Sequence, residues 1–303
     1  MKALVVGFGS IGARHARLLG ELGCLTSVVS SRAVDHARAH RTLEDALSEA
    51  HPDYVVIANS TDRHYDALSR LARLGYSGVV LVEKPLFDGP RELPANTFRA
   101  AFVGYNLRFH PVVQRLAGLV KDAPAISVQA YAGQYLPAWR PSADYRASYS
   151  ASAARGGGVL RDLSHELDYL TWLFGAWIRV TARGGHLSPL EIDSDDVYAL
   201  MFETRACPIV QLQINYLDRT TKRFAIVNTA GHTIEADIVG GAVIVDGRRE
   251  ALGADRDHTY CAMHRAALEG DSAALCDIGH AAGTLGLIAA AERASERREW
   301  VEA

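Results

Sequence analysis

With 303 residues, 49% of them hydrophobic and 22% charged, the chain has the composition of a soluble globular protein with room for two domains. A formal net charge of −3 gives no bias toward nucleic acid, and the absence of a long uninterrupted apolar run argues against a membrane partner. The four cysteines, Cys24, Cys207, Cys261 and Cys276, are dispersed rather than closely paired, so plain thiols are expected and no metal site.

The first apolar strand, Ala3 to Val6, begins at about residue 2, which leaves no signal peptide and makes the cytoplasm the expected location. It runs into Gly7-Phe8-Gly9-Ser10-Ile11-Gly12, and Ile11, Leu18, Leu19 and Leu22 then repeat at helical spacing. A strand, a G-x-G-x-x-G turn and a helix in that order form a dinucleotide-binding arrangement. Gly7 permits the turn, Gly9 lets backbone approach a pyrophosphate, Gly12 lets helix pack on strand, and the helix N-terminus faces the phosphates. The second strand, Leu25 to Val29, ends in Ser30-Ser31-Arg32 where an NAD site usually has a carboxylate. Two hydroxyls and a guanidinium fork suit a 2′-phosphate, so NADP(H) is the preferred cofactor, with NAD(H) open if Arg32 is only a solvated loop residue.

Thr42 is placed to cap a helix through Leu47, and Tyr54 to Ala58 reads as a buried strand ending at Asn59-Ser60-Thr61. A helix from about Arg63 to Leu74 follows, then the strand Val79 to Val82, ending at Glu83-Lys84-Pro85. Only four residues are lysines, Lys2, Lys84, Lys121 and Lys222, so the placement of Lys84 draws notice. Residues just past the carboxyl ends of parallel strands face the ligand crevice, which makes Asn59, Ser60, Thr61, His64, Glu83 and Lys84 candidate cofactor contacts. A strand at about Ala100 to Tyr105 closes this α/β Rossmann domain, a parallel doubly wound sheet assigned to residues 1–105.

Residues 106–303 read as an α+β domain for substrate binding and oligomerisation. Strand-like runs at 126–132, 178–184, 197–203, 209–216, 223–228, 233–237 and 242–245 predict a mostly antiparallel open sheet. Helices are expected near 159–174, 257–268 and 273–297. Tyr135, Trp139, Arg140, Tyr145 and Arg146 combine flat faces with guanidinium forks, suited to a sugar carrying an acidic or nucleotide group, or equally to an arm contacting another subunit. Arg108 and His110, at the domain boundary, are further candidates for substrate contact.

Taken together, the glycine motif, Ile57-Ala58-Asn59-Ser60-Thr61, Val82-Glu83-Lys84-Pro85-Leu86, Gly104 to Pro111 and Gly156 to Asp168 resemble the Gfo/Idh/MocA family of pyridine-nucleotide oxidoreductases. The resemblance runs from the start to about residue 175, and the last third matches only in strand pattern. It implies that Lys84 touches cofactor and substrate and takes part in proton transfer, and that His165 lies beside the reacting hydroxyl or carbonyl. The family spacing is Asp-x-x-x-His. Here Asp162-Leu163-Ser164-His165 is one residue shorter, though positions three apart on a helix share a face. His165 is then the main acid/base, Lys84 its relay partner, Asp162 a substrate anchor, and Asp168 an orienting carboxylate.

The expected activity is interconversion of a hydroxyl and a ketone on a sugar or nucleotide sugar. Alternatives are a reductase of another small molecule, or a non-catalytic NADP(H)-sensing binding protein. A homodimer or homotetramer is implied by the resemblance.

Overall fold

The computed structural model describes residues 1–303 apart from Arg140 and Ser142. The chain forms two compact units. The first comprises Met1–Phe87, Arg91–Phe109 and Arg256–Ala282, and the second Asp88–Pro90, His110–Asp255 and Gly283–Ala303.

The first unit is built on β1 (Lys2–Val6), α1 (Ser10–Glu21), β2 (Leu25–Val29), β3 (Ala39–His40), α2 (Leu43–Ala50), β4 (Tyr54–Ile57), α3 (His64–Arg73), β5 (Val79–Val82) and β6 (Ala100–Val103). The strands are short apolar runs buried on both faces, as a parallel sheet covered by helices requires. Thr42 caps α2 as expected, its hydroxyl accepting from the Asp45 N–H at 3.1 Å. In the sheet, β1 lies between β2 and β4, so the strand order reverses there and opens a crevice at the carboxyl ends. Val6 is in register with both Val29 and Ile57, Ile57 with Val82, and Val82 with Val103. Gly7, Ser30, Ala58, Glu83 and Gly104 therefore end the five strands in one row.

The expected strand through Tyr105 stops at Val103, because the Tyr105 and Asn106 N–H groups turn back to the Val103 and Gly104 carbonyls at 2.7 and 2.8 Å. A single cut after residue 105 also misses a return of the chain. The Asn106 amide donates to Thr259 at 2.7 Å, and Met263, Ala266, Ala267 and Leu275 enter the same core as Val5, Leu19 and Val56. Asp257 is held by Arg14 Nε at 2.7 Å and by Arg17 at 2.5 Å.

In the second unit, α4 (Pro111–Val120), β7 (Ala125–Gly133), α5 (Val159–Asp162) and α6 (His165–Phe174) are followed by β8 (Trp177–Gly185), β9 (Val197–Thr204), β10 (Cys207–Asn215), β11 (Lys222–Thr229), β12 (Thr233–Asp237), β13 (Ala242–Val245) and β14 (Arg248–Ala251). The chain then forms α7 (His258–Glu269), β15 (Cys276–Asp277), α8 (Ile278–Arg297) and β16 (Val301–Glu302). The nine-stranded sheet runs β14-β13-β12-β11-β7-β10-β9-β8-β16 and is antiparallel except for the β7–β10 pair. Burial alternates along β9 and β10, so one face meets the helices and the other is open.

Two helix expectations are corrected. The last begins at Ile278 rather than 273, because Cys276 pairs with Val103 in the first sheet and Asp277 caps the Gly279 and His280 N–H groups at 2.9 and 3.0 Å. The helix expected over 159–174 breaks at Leu163-Ser164, where Ser164 and Glu166 bond three residues back, to the Arg161 and Leu163 carbonyls. Asp162 therefore ends α5 and His165 begins α6, so the two do not lie on one continuous helix.

Candidate functional site

The cofactor half of the site lies in the first unit. Gly7 has φ +99°, and a Cβ there would lie 2.7 Å from Asn59 backbone atoms. On Gly12 it would come to 2.0 Å from the Gly7 carbonyl oxygen, whereas on Gly9 it would meet no protein atom within 4 Å. Packing thus requires glycine at two positions, and the third leaves space in front of the α1 N-terminus. No side chain caps α1 and no acidic residue sits in its first turn, so the Ser10 and Ile11 amides are offered to an anion. Asn59 adds a buried Oδ1 with no hydrogen-bond partner among the described residues. A pyrophosphate-bearing dinucleotide fits this arrangement.

At the β2 end, the Ser30 hydroxyl is taken up locally, accepting from the Arg32 N–H at 3.2 Å and donating to its carbonyl at 3.0 Å. Ser31 and Arg32 are exposed, and Arg41 joins them, bonding the Ser31 carbonyl at 2.9 Å. Sequence reasoning missed Arg41 because it arrives from beyond a two-residue strand. Ser60 is exposed and Thr61 buried at the start of the turn into α3. His64 departs from expectation: it is 1% exposed, with Nδ1 3.0 Å from the Pro85 carbonyl and Nε2 3.2 Å from that of Asn59. Burial lowers its pKa against the pull of those carbonyls, so it braces the strand-end loops rather than reaching a ligand.

Glu83 is likewise buried, with Oε1 2.8 Å from His15 Nε2 and Oε2 accepting the Lys84 N–H at 3.1 Å. Burial pushes its carboxyl up, but the His15 hydrogen bond and the Lys84 charge outweigh that and hold it below the usual range. Lys84 is half-buried and precedes a cis peptide to Pro85. Arg108, expected near substrate, is 2% exposed and donates to the Leu275 carbonyl at 3.3 Å, inside the first unit.

In the second unit, Asp162 is 4% exposed, and each of its oxygens accepts a tyrosine hydroxyl, Tyr149 at 2.5 Å and Tyr216 at 2.6 Å. Burial and the adjacent carboxylate hold the Tyr216 hydroxyl protonated. Tyr149 belongs to the aromatic stretch that the sequence singles out, whereas Tyr216, directly after a strand end, did not stand out. His165 opens α6 half-buried, and Asp168 is buried one turn on. Leu136, Trp139, Tyr145 and Tyr149 line a pocket of about 290 Å³, with Trp139 edge-on to Tyr216 at 5.3 Å. Tyr135 carries the Arg219 guanidinium 3.3 Å above its ring. Arg146 is already engaged by Asp144 at 2.9 Å and Glu191 at 3.2 Å, and the Tyr145 hydroxyl accepts from the Glu191 N–H. Arg140 lies outside the described residues. Among those described, no cluster of His, Cys, Asp or Glu is arranged to hold a metal ion, and no helix is long and apolar enough to cross a membrane.

Residues 1–101 match the model described as "Oxidoreductase family, NAD-binding Rossmann fold", and residues 125–234 match that of the GFO/IDH/MocA C-terminal domain. The chain belongs to the Gfo/Idh/MocA family. Among curated proteins it is similar to the inositol 2-dehydrogenase of Rhizobium meliloti, 27% identical over 187 residues. That match covers 56% of this chain and 54% of the relative, so the chain spans about half the relative's length.

Solved structures share the fold of this chain over its whole length. GenD2 from gentamicin A biosynthesis, in complex with NAD, is 22% identical with TM-score 0.81, covering 100% of this chain and 96% of that one. Levoglucosan dehydrogenase with NADH and levoglucosan is 14% identical with TM-score 0.84, at 100% and 99% coverage. The WlbA dehydrogenase of Bordetella pertussis with NADH and UDP-GlcNAcA is 18% identical with TM-score 0.76, at 100% and 98%.

One ionisable group in the second unit has a measurable consequence of its own. Asp195 accepts the Leu160 N–H at the start of α5 at 3.0 Å, and burial raises its pKa to about 6, with that bond and Arg161 pulling it down. Because the folded value exceeds the unfolded one, its stabilising contribution is full below about pH 4 and is lost as pH rises through about 6. Asp195→Asn is therefore expected to raise stability at pH 8 by about 1–2 kcal/mol and to do little at pH 4. Denaturant midpoints of both proteins across that range check it, and parallel curves would contradict the assignment.

Proposed function

We propose that the chain is an NADP(H)-dependent oxidoreductase that interconverts a hydroxyl and a ketone on a sugar or nucleotide sugar. The observation that carries this reading is the row of strand ends: Gly7, Asn59 and the Glu83-Lys84 pair share one edge with the uncapped start of α1. When bound, the nicotinamide supplies or accepts the hydride. His165 serves as main acid/base for the reacting oxygen and Lys84 as its relay partner, with Asp168 orienting the imidazole. Asp162 acts through the tyrosines it holds: a buried carboxylate accepting two hydroxyls fixes both rings toward substrate recognition. The aromatic pocket takes a sugar ring, in line with the sugar and nucleotide-sugar ligands named for the structural neighbours. Exposed Met201, Ile209 and Ile126 on the second sheet support assembly into a dimer or tetramer. Cytoplasmic residence stays part of this reading.

The NADP(H) preference rests on the exposed Arg32 beside Arg41 and on Ser31, with no carboxylate ending β2. Arg32→Ala is expected to weaken NADPH binding about tenfold while leaving NADH binding almost unchanged. Fluorescence titration with both nucleotides tests it. Equal loss for the two, or none for either, rejects the preference. Steady-state turnover against a panel of keto sugars and their nucleotide derivatives tests the substrate class.

A further inference from the structure

Beneath the strand-end row, four titratable side chains that the proposed chemistry does not use directly, or uses only as backbone neighbours, form a continuous buried line. Tyr54 Oη lies 3.0 Å from His264 Nδ1, His264 Nε2 lies 2.8 Å from His15 Nδ1, and His15 Nε2 lies 2.8 Å from Glu83 Oε1. Both imidazoles are 0% exposed, Tyr54 is 1% and Glu83 7%. The members come from β4, α7, α1 and the end of β5, so the fold has brought together groups up to 249 positions apart.

One proton arrangement satisfies every atom. Tyr54 donates to His264 Nδ1, His264 Nε2–H donates to His15 Nδ1, and His15 Nε2–H donates to ionised Glu83. The reverse polarity would make His15 an imidazolium and leave the Tyr54 hydroxyl proton without an acceptor, since Tyr54 has no other partner among the described residues. Burial also keeps His264 unprotonated and keeps the Tyr54 hydroxyl protonated. The other titratable groups facing this line are Lys84, His64 and Tyr260 near Glu83, and Cys24 and Tyr76 near Tyr54.

We propose that Tyr54, His264 and His15 are positioning residues for Lys84. Their one-way hydrogen-bond chain locks Glu83 as an anion with Oε2 on the Lys84 backbone N–H, and so fixes the strand-end backbone from which Lys84 acts. This rests on the reading of Lys84 as a proton-relay group.

The test compares the full-length wild type with Glu83→Gln and Tyr54→Phe, following kcat and the KM for cofactor separately. kcat should fall about tenfold in Glu83→Gln, and by less in Tyr54→Phe, with cofactor KM nearly unchanged. Tyr54→Phe removes one hydroxyl and keeps the ring, and His264→Gln gives an independent break in the line. Nitrogen-15 spectra of the histidine-labelled protein should show His15 and His264 carrying a proton on Nε2 only, a readout that does not depend on turnover. An unchanged kcat in both variants, or a loss of thermal stability with no fall in kcat, overturns the proposal, as does Nδ1 protonation of His264. If Lys84→Ala is inactive while Glu83→Gln and Tyr54→Phe keep the wild-type kcat, the positioning line alone falls. If Lys84→Ala keeps full activity, the acid–base reading falls with it.

Discussion

Alanine in place of Lys84 is expected to slow hydride transfer by about 10²–10⁴-fold, the range a positioned proton donor or acceptor contributes, and His165→Ala to do the same. The two should part company in binding. Lys84 adjoins the row of strand ends that forms the nucleotide half, so its loss also weakens NADPH affinity; His165 belongs to α6 in the second unit, and His165→Ala should bind NADPH close to normally. Single-turnover rates with a reducible keto sugar, together with NADPH titration, separate these effects. Wild-type rates in both variants would favour a protein that senses NADP(H) without turning it over.

Gly12→Ala is expected to cost about 3 kcal/mol or more of stability, because its Cβ would sit 2.0 Å from a backbone oxygen that has no room to retreat under α1. Gly9→Ala should leave stability within about 0.5 kcal/mol, since no protein atom lies within 4 Å of its Cβ, and should instead reduce dinucleotide affinity. One glycine is required by the fold and the other by the ligand. Chemical denaturation paired with NADPH titration distinguishes them, and equal effects of the two substitutions on both quantities would contradict this division.

The parts legible in sequence were those with local causes. Buried parallel strands appear as runs such as Tyr54 to Ile57, the glycine turn has a fixed spacing, and Thr42 before Glu44 and Asp45 signals a cap. The missed parts arise from partners distant in the chain. Cys276-Asp277 is too short to read as a strand, and it forms only because β6 offers an edge. The break at Leu163-Ser164 carries neither glycine nor proline. Arg108 and His64 looked like ligand contacts because they are polar and follow strand ends, yet both are buried against backbone carbonyls of the first unit, those of Leu275 and Pro85. Asp162 was singled out from the motif, but the tyrosines whose hydroxyls it accepts come from 13 positions before it and 54 after it.

The late return of Arg256–Ala282 to the first unit makes that unit non-contiguous in the gene. An excised fragment of residues 1–105 would lack the α7 side chains that fill its interior and the antiparallel strand that shields the outer edge of β6. Recombination of this nucleotide-binding half between relatives would therefore need three crossovers, near residues 109, 255 and 282, and a simple front-half cassette should be recovered as an insoluble product.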